Sequence, residues 1–131
     1  MKILHRHKLS GFTLTELLVV LAIIGILLLI ALPNLTPLIS KARGTEAKQN
    51  LTYIHSLEKS WHMEHSKYSG DLKELGFELE NPGEAQYRYE ITSSGSTFKA
   101  TATAITDFDN DGQINVWEID QLKNLHEITP D

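Results

Sequence analysis

Cysteine is absent from this chain, so no disulfide can staple it and no thiolate can serve as a ligand. Charge is absent from one long stretch: no charged residue lies between Glu16 and Lys41, and Leu17 to Leu32 are all apolar or glycine. A bilayer crossing needs roughly 20 mostly apolar residues, so this run is long enough to enter or span a membrane. A small-residue cleavage site is missing after the run, where a secretory signal peptide would carry one. The run instead leads into Pro33-Asn34, and the small residue, Gly11, stands before it. Cutting at Gly11 removes the basic leader and leaves the hydrophobic segment on the mature chain. Motifs of catalysis are missing too, with no nucleophile elbow, P-loop or metalloprotease helix, so no enzyme is expected.

An excess of basic residues is likewise lacking. The 131-residue chain has 12 Lys and Arg against 17 Asp and Glu, a formal charge of -5. Loss of Lys2, Arg6 and Lys8 leaves nine cations against 17 carboxylates, or -8. That balance opposes binding nucleic acid through bulk electrostatics, and no nucleic-acid partner is expected. The leader charges, with His5 and His7 beside them, predict a cytoplasmic amino terminus by the positive-inside rule. The carboxyl-terminal part is then expected outside the inner membrane.

What is present at the amino terminus is a pattern: Gly11, Phe12, Thr13, Leu14, Glu16, the apolar run and Pro33. It resembles the type IV pilins and their relatives, the type II secretion pseudopilins and DNA-uptake pilins. The resemblance implies cleavage by a prepilin peptidase between Gly11 and Phe12, with Phe12 then N-methylated. It makes Glu16 the fifth mature residue, whose carboxylate pairs with the amino terminus of an adjoining subunit during assembly. It also puts Pro33 at the family's helix kink. A carboxylate buried in a bilayer costs about 2 to 3 kcal/mol, which independently marks Glu16 as functional. The implied function is a structural filament subunit, held in the inner membrane and then packed with its own kind into a surface pilus for adhesion or motility. The alternative is a major pseudopilin of a type II secretion system, driving protein export in a periplasmic pseudopilus. The partners implied are other pilin-like subunits, the peptidase and the inner-membrane assembly platform.

Beyond Pro33 the pattern turns amphipathic. Ala47, Ile54, Trp61 and Tyr68 recur at sevens with Leu51 and Leu57 between them, while Lys41, Arg43, Glu46, Lys48, Glu58, Lys59 and Glu64 occupy other faces. One helix from Phe12 to about Ser66, roughly 80 Å long, is predicted, with a bend or local melting at Pro33 and a weak point at Gly44. Ser69-Gly70 ends it, and Asp71 caps a short helix closed by Gly76. Strands are predicted over 86–92, 97–105 and 113–119, with 124–131 irregular. The fold class is α+β: a long kinked amino-terminal helix, its apolar half protruding, packed on an antiparallel sheet of three or four strands. The divisions are a leader 1–11, a membrane and assembly helix 12–40, and a helix-plus-sheet head 41–131.

The head carries a second motif, running from Asp107 to Glu118 as DFDNDGQINVWE. It follows the EF-hand calcium loop: carboxylates at alternate positions of a tight turn, Gly at the sixth, Glu at the twelfth. Asp107, Asp109, Asp111, the Gln113 carbonyl and Glu118 are the expected ligands of a calcium ion. The segment before Asp107 reads as a strand, so the loop is expected within a sheet, with Asp120 as the substitute for Glu118. A solvated Asp/Asn/Gly turn is the simpler alternative. His55, His62 and His65 share the long helix and are expected to border its contact with the sheet.

Overall fold

The computed structural model describes residues 10–130, and the basic leader charges of Lys2, Arg6 and Lys8 lie outside the described residues. One helix, α1, spans Leu14–His65. Four strands follow: β1 Tyr87–Ser93, β2 Phe98–Ala104, β3 Val116–Asp120 and β4 Leu125–Thr129. They form a single antiparallel sheet in the order β1-β2-β3-β4, so every strand pairs with its chain neighbour. The architecture is the α+β pilin fold, with four strands.

By its contacts the chain divides into two compact units, Met1–Leu35 and Thr36–Asp131. In the first unit, Leu14–Pro33 is long and apolar enough to cross a membrane and buries nothing within the chain. The helical assignment runs through Pro33 without a break, so the expected local melting does not occur. Proline removes one backbone donor, but the neighbouring turns keep theirs. Gly44 does not interrupt the helix either; it is buried, and a Cβ there would meet the Trp117 ring nitrogen at an ordinary 3.7 Å.

In the second unit the core forms where α1 meets the sheet. Ala47, Leu51 and Ile54 are fully buried on the helix, as are Ala100, Ala102 and Ile119 on β2 and β3. Tyr87, Tyr89, Phe98 and Ala104 complete the inner face. The alternation of Thr and Ala along β2 puts Thr101 and Thr103 outward and alanines inward. Full burial of one leucine such as Leu51 contributes about 1.5 to 3 kcal/mol. Polar ties fix the register between helix and sheet. Glu46 accepts the Gln86 backbone N–H at 3.1 Å, and the Asn50 amide donates to the Tyr89 hydroxyl at 2.9 Å.

Three elements differ from the sequence expectations. The segment from Asp71 forms a single turn and not a helix: the Asp71 carboxylate accepts the Lys73 N–H, and Gly76 reverses the chain at φ 70°. One turn is too short to recover the cost of helix nucleation. The tail expected to be irregular contains β4, which pairs with β3 through Ile119↔Leu125 and Trp117↔Glu127. Its residues show no apolar alternation, with Leu125 half-buried and Glu127 exposed, and a bulge at Val116/Trp117 shifts the register. Glu58, expected on a face other than the apolar stripe, is fully buried. It stands seven residues after Leu51, and the same spacing that buries Leu51 carries Glu58 under the sheet.

The Glu58 carboxylate accepts the Ser69 backbone N–H at 2.9 Å through Oε2, while Oε1 has no hydrogen-bond partner. Burial raises its pKa above the ordinary glutamate value, outweighing the Ser69 bond, which lowers it. The unfolded chain therefore loses this proton first. The group's stabilising contribution is present below its unfolded pKa and is lost as pH rises through the folded one. Glu58→Gln keeps an acceptor for Ser69 and abolishes the titration. In urea denaturation, the variant's stability relative to the native protein should rise from about pH 4 toward neutrality. Parallel pH profiles would show that Glu58 titrates as an ordinary surface carboxylate.

Candidate processing and metal sites

Gly11, Phe12 and Thr13 precede the first turn of α1 and are exposed, Phe12 at 89%. Thr13 is the helix N-cap. Its hydroxyl accepts the Glu16 N–H at 3.2 Å, and Glu16 Oε2 accepts the Thr13 N–H at 2.8 Å. This reciprocal capping box satisfies two backbone donors that the helix start leaves open. Glu16, expected to pair between subunits, is thus also bound within its own chain. The T-x-x-E spacing at Thr13–Glu16 was visible in the sequence as a helix start. The Gly11–Phe12 peptide bond lies outside the helix, in backbone a peptidase can reach.

The acidic loop joins β2 to β3. Asp107, Asp109 and Asp111 each offer an oxygen to one small volume, those atoms lying within 4.8 Å of one another. The backbone wraps to bring them there: Asn110 and Gly112 take positive φ of 63° and 91°. Asp107 accepts the Asn110 N–H at 2.6 Å and the Gly112 N–H at 2.8 Å. The Gly112 bond leads the causes that hold the Asp107 carboxyl below the usual aspartate range. Asp109 accepts the Asp111 N–H at 3.0 Å, and Asp111 accepts the Gln113 N–H at 2.7 Å. Three carboxylates close together repel one another, and a hard cation such as calcium would relieve that by gathering their oxygens.

The second half of the loop follows the sheet. Glu118 points into an ion pair with Lys99 at 2.9 Å, with His126 at 3.8 Å beyond it. Opposite charges on neighbouring β2 and β3 claim it, and it is not among the gathered carboxylates. Asp120, its substitute, caps the next turn by accepting the Leu122 and Asn124 N–H groups at 2.9 Å each. Glu118 and Asp120 are thus engaged elsewhere, and the carboxylates gathered at the loop are those of Asp107, Asp109 and Asp111. Sequence reasoning missed Asn115, which is buried and accepts the Tyr87 hydroxyl at 2.7 Å. Its amide donates to Glu127 at 2.7 Å and to the Thr129 carbonyl at 3.0 Å. The loop's end is thus tied to β1 and β4 by one side chain, and only the fold brings those partners together.

The helix histidines diverge into aromatic contacts. His55 lies 5.9 Å from the Phe98 ring, and burial pushes its pKa down. His62 leans on Tyr68 at 4.4 Å, and His65 stacks on Trp61 at 3.9 Å.

With this geometry in place, comparison with known proteins gives two family matches that adjoin without a gap. Residues 6–32 match the description "Prokaryotic N-terminal methylation motif". Residues 33–113 match "Type IV minor pilin ComP, DNA uptake sequence receptor". The chain belongs to the type IV pilin family. Among individual relatives, it is 42% identical over 78 residues to the type IV major pilin protein PilA of Myxococcus xanthus, covering 60% of this chain and 36% of that protein. It is 45% identical over 56 residues to the competence protein ComGC of Halalkalibacterium halodurans, covering 40% of this chain and 55% of that one. The chain therefore spans about a third and about half of the lengths of these two relatives. The pilin is a type IV pilin-like subunit.

Because Asp107 organises the turn through two N–H bonds, Asp107→Ala should lower the melting temperature even in chelator. Its carboxyl is held below the usual range, so that contribution is present above the unfolded aspartate pKa and fades as pH falls through the folded one. The deficit should therefore shrink below about pH 4. Asn110→Gly, which relaxes a left-handed backbone, should hold or raise the melting temperature. A melt indifferent to Asp107→Ala would deny the loop any organising role.

Proposed function

We propose that this pilin is a structural subunit of a type IV pilus-like filament, anchored in the inner membrane by Leu14–Pro33 until assembly. The observation that carries the proposal is the junction at Gly11–Phe12: a cleavable, non-helical bond followed by an exposed apolar helix with Glu16 as its sole charge before Lys41. A prepilin peptidase removes the leader and Phe12 becomes the N-methylated terminus. An assembly platform then draws the subunit from the bilayer into a helical polymer, its apolar helix moving from lipid to a protein-lined core. Glu16 would otherwise be a lone carboxylate in that core, and a neighbouring subunit's amino terminus compensates it. Head-to-tail contacts of this type build open polymers.

A second reading is a subunit of a DNA-uptake filament, favoured by the match of residues 33–113 and by the competence relative. Direct capture of DNA by this subunit is opposed by its acidic balance. Three of its cations are also occupied: Arg43 lies over Phe108 at 4.6 Å, Lys48 over Trp117 at 4.4 Å and Lys59 over Tyr68 at 5.7 Å. The pseudopilin alternative places the same polymer in the periplasm, and imaging of sheared surface filaments separates the two. Mass spectrometry of those filaments should find a chain beginning at methylated Phe12. Glu16→Ala should leave the precursor inserted and cut but sharply reduce filament yield. Native filament levels from that variant, or an uncut leader, would remove the reading.

We further propose that the Asp107–Asp111 loop binds calcium once the subunit is exported. Support comes from the convergence of three carboxylates and from the lack of any disulfide to hold this part of the fold. Extracellular modules of this chemistry bind in the range of roughly 0.1 to 1 mM. A cation held only by the folded loop stabilises it by mass action. A soluble form starting near Thr36 should melt higher in calcium than in chelator, with magnesium a poor substitute. Asp109→Ala should erase the difference, and equal melting in both conditions would leave the loop a solvated turn.

A further inference from the structure

The second unit exposes apolar surface at several places, Met63 and Ile128 included, and two of them lie at opposite ends of the sheet. One is a groove of about 500 Å³ between the 71–85 segment and the β1 edge. Leu72, Phe77, Leu79 and Ile105 line it, and Ile105 is 54% exposed although it directly follows β2. The other is the β3–β4 turn, where Leu122 stands 73% exposed. Turns of this kind favour small polar residues, and a bare leucine at the tip gains nothing within its own subunit.

Their positions follow from strand register. Tyr87 pairs with Ala104, and Thr103 with Val116, so the groove lies at that end of the sheet, along the β1 edge. Asp120 pairs with Lys99, beside the Ser93↔Phe98 pair, so the β3–β4 turn projects from the opposite end, along the β4 edge. Groove and turn occupy diagonally opposite corners. A subunit cannot fill its own groove with its own turn, yet each copy carries both halves. Joining unlike surfaces in this way is a head-to-tail contact, which builds an open polymer wherever the rotation between copies does not close a ring.

Charge agrees with the match. Glu78 lines the groove, with Glu80 and Glu84 on the same segment, and Lys123 follows Leu122 at the turn. Among the described residues the ion pairs within the subunit are those of Glu118, so Glu78 and Lys123 remain available to a second molecule. Lys123 sits at φ 66°, after Asp120 has accepted the Leu122 and Asn124 N–H groups. The turn is therefore held in shape before any partner arrives. Arg88 stands on the opposite, β1 wall of the groove, which directs an incoming cation toward the Glu78 side.

We propose that this groove receives the β3–β4 turn of a second copy of the chain, with Leu122 seated among Phe77, Leu79 and Ile105 and Lys123 paired with Glu78. The inference rests on the filament reading and specifies one lateral contact within it. The native chain has no cysteine, so introduced thiols are unambiguous reporters. In sheared filaments of an Ile105→Cys/Leu122→Cys double variant, a short bifunctional maleimide should produce a ladder of covalent multimers. Filaments mixed from the two single variants should stop at dimers, and either single variant alone should give monomers. Lys123→Glu should cut filament yield several-fold, and adding Glu78→Lys should restore it. Filaments that form normally but yield no ladder would overturn the contact, as would cross-linking in a single-variant filament. A native chain that forms no filament at all would remove the filament reading itself, and this contact with it.

Discussion

The contact between the inner face of β2 and the stripe of α1 governs the second unit. Three alanines, at 100, 102 and 104, give the helix a shallow floor with no bulky side chain to hold it away. Larger residues stand at the sides: Tyr87 and Tyr89 on β1, Ile119 and Trp117 on β3. Where the helix packs on this face, Glu46 reaches the backbone of Gln86 and Asn50 reaches the Tyr89 hydroxyl. Those bonds fix the strand order against the helix and so position the acidic loop after β2.

The same packing bears on a charged group that interrupts the apolar stripe. Glu58 is carried under the sheet by its place on the stripe and is held by the backbone of Ser69, just after the helix ends. It ties the chain at the point where it leaves α1, at the cost of a buried carboxyl whose ionised form is disfavoured. Glu16 has no such shelter, being fully exposed in the first unit, and it resolves its charge locally through the cap at Thr13. The cap engages Oε2, so in the proposed filament a neighbour's amino terminus would meet Oε1.

The acidic loop illustrates how a fold edits a motif. In a helix-loop-helix hand, the twelfth position turns back toward the ion because a helix starts there. Here a strand starts instead, and pleating sends Glu118 to the outer face beside Lys99. The first half of the motif depends only on local turn geometry and survives: three aspartates, a left-handed Asn110 and Gly112. In the second half Asn115 turns inward to Tyr87, Glu127 and Thr129.

By itself the sequence determined what local chemistry can dictate. The uncharged run, the Gly11–Phe12 junction, the helix past Pro33, the Ser93–Thr97 hairpin and the close aspartates are all short-range patterns. Their spacing alone selects a conformation, because each involves neighbours within a turn or two. Only the tertiary structure decided the rest. It made β4 from a tail without alternation, since pairing to β3 supplies the order its side chains do not specify. It buried Glu58, gave Glu118 to Lys99 and placed groove and turn at opposite corners of the sheet. Each of those outcomes joins residues far apart in the chain, and such pairings gain their energy only when the whole sheet has closed on the helix.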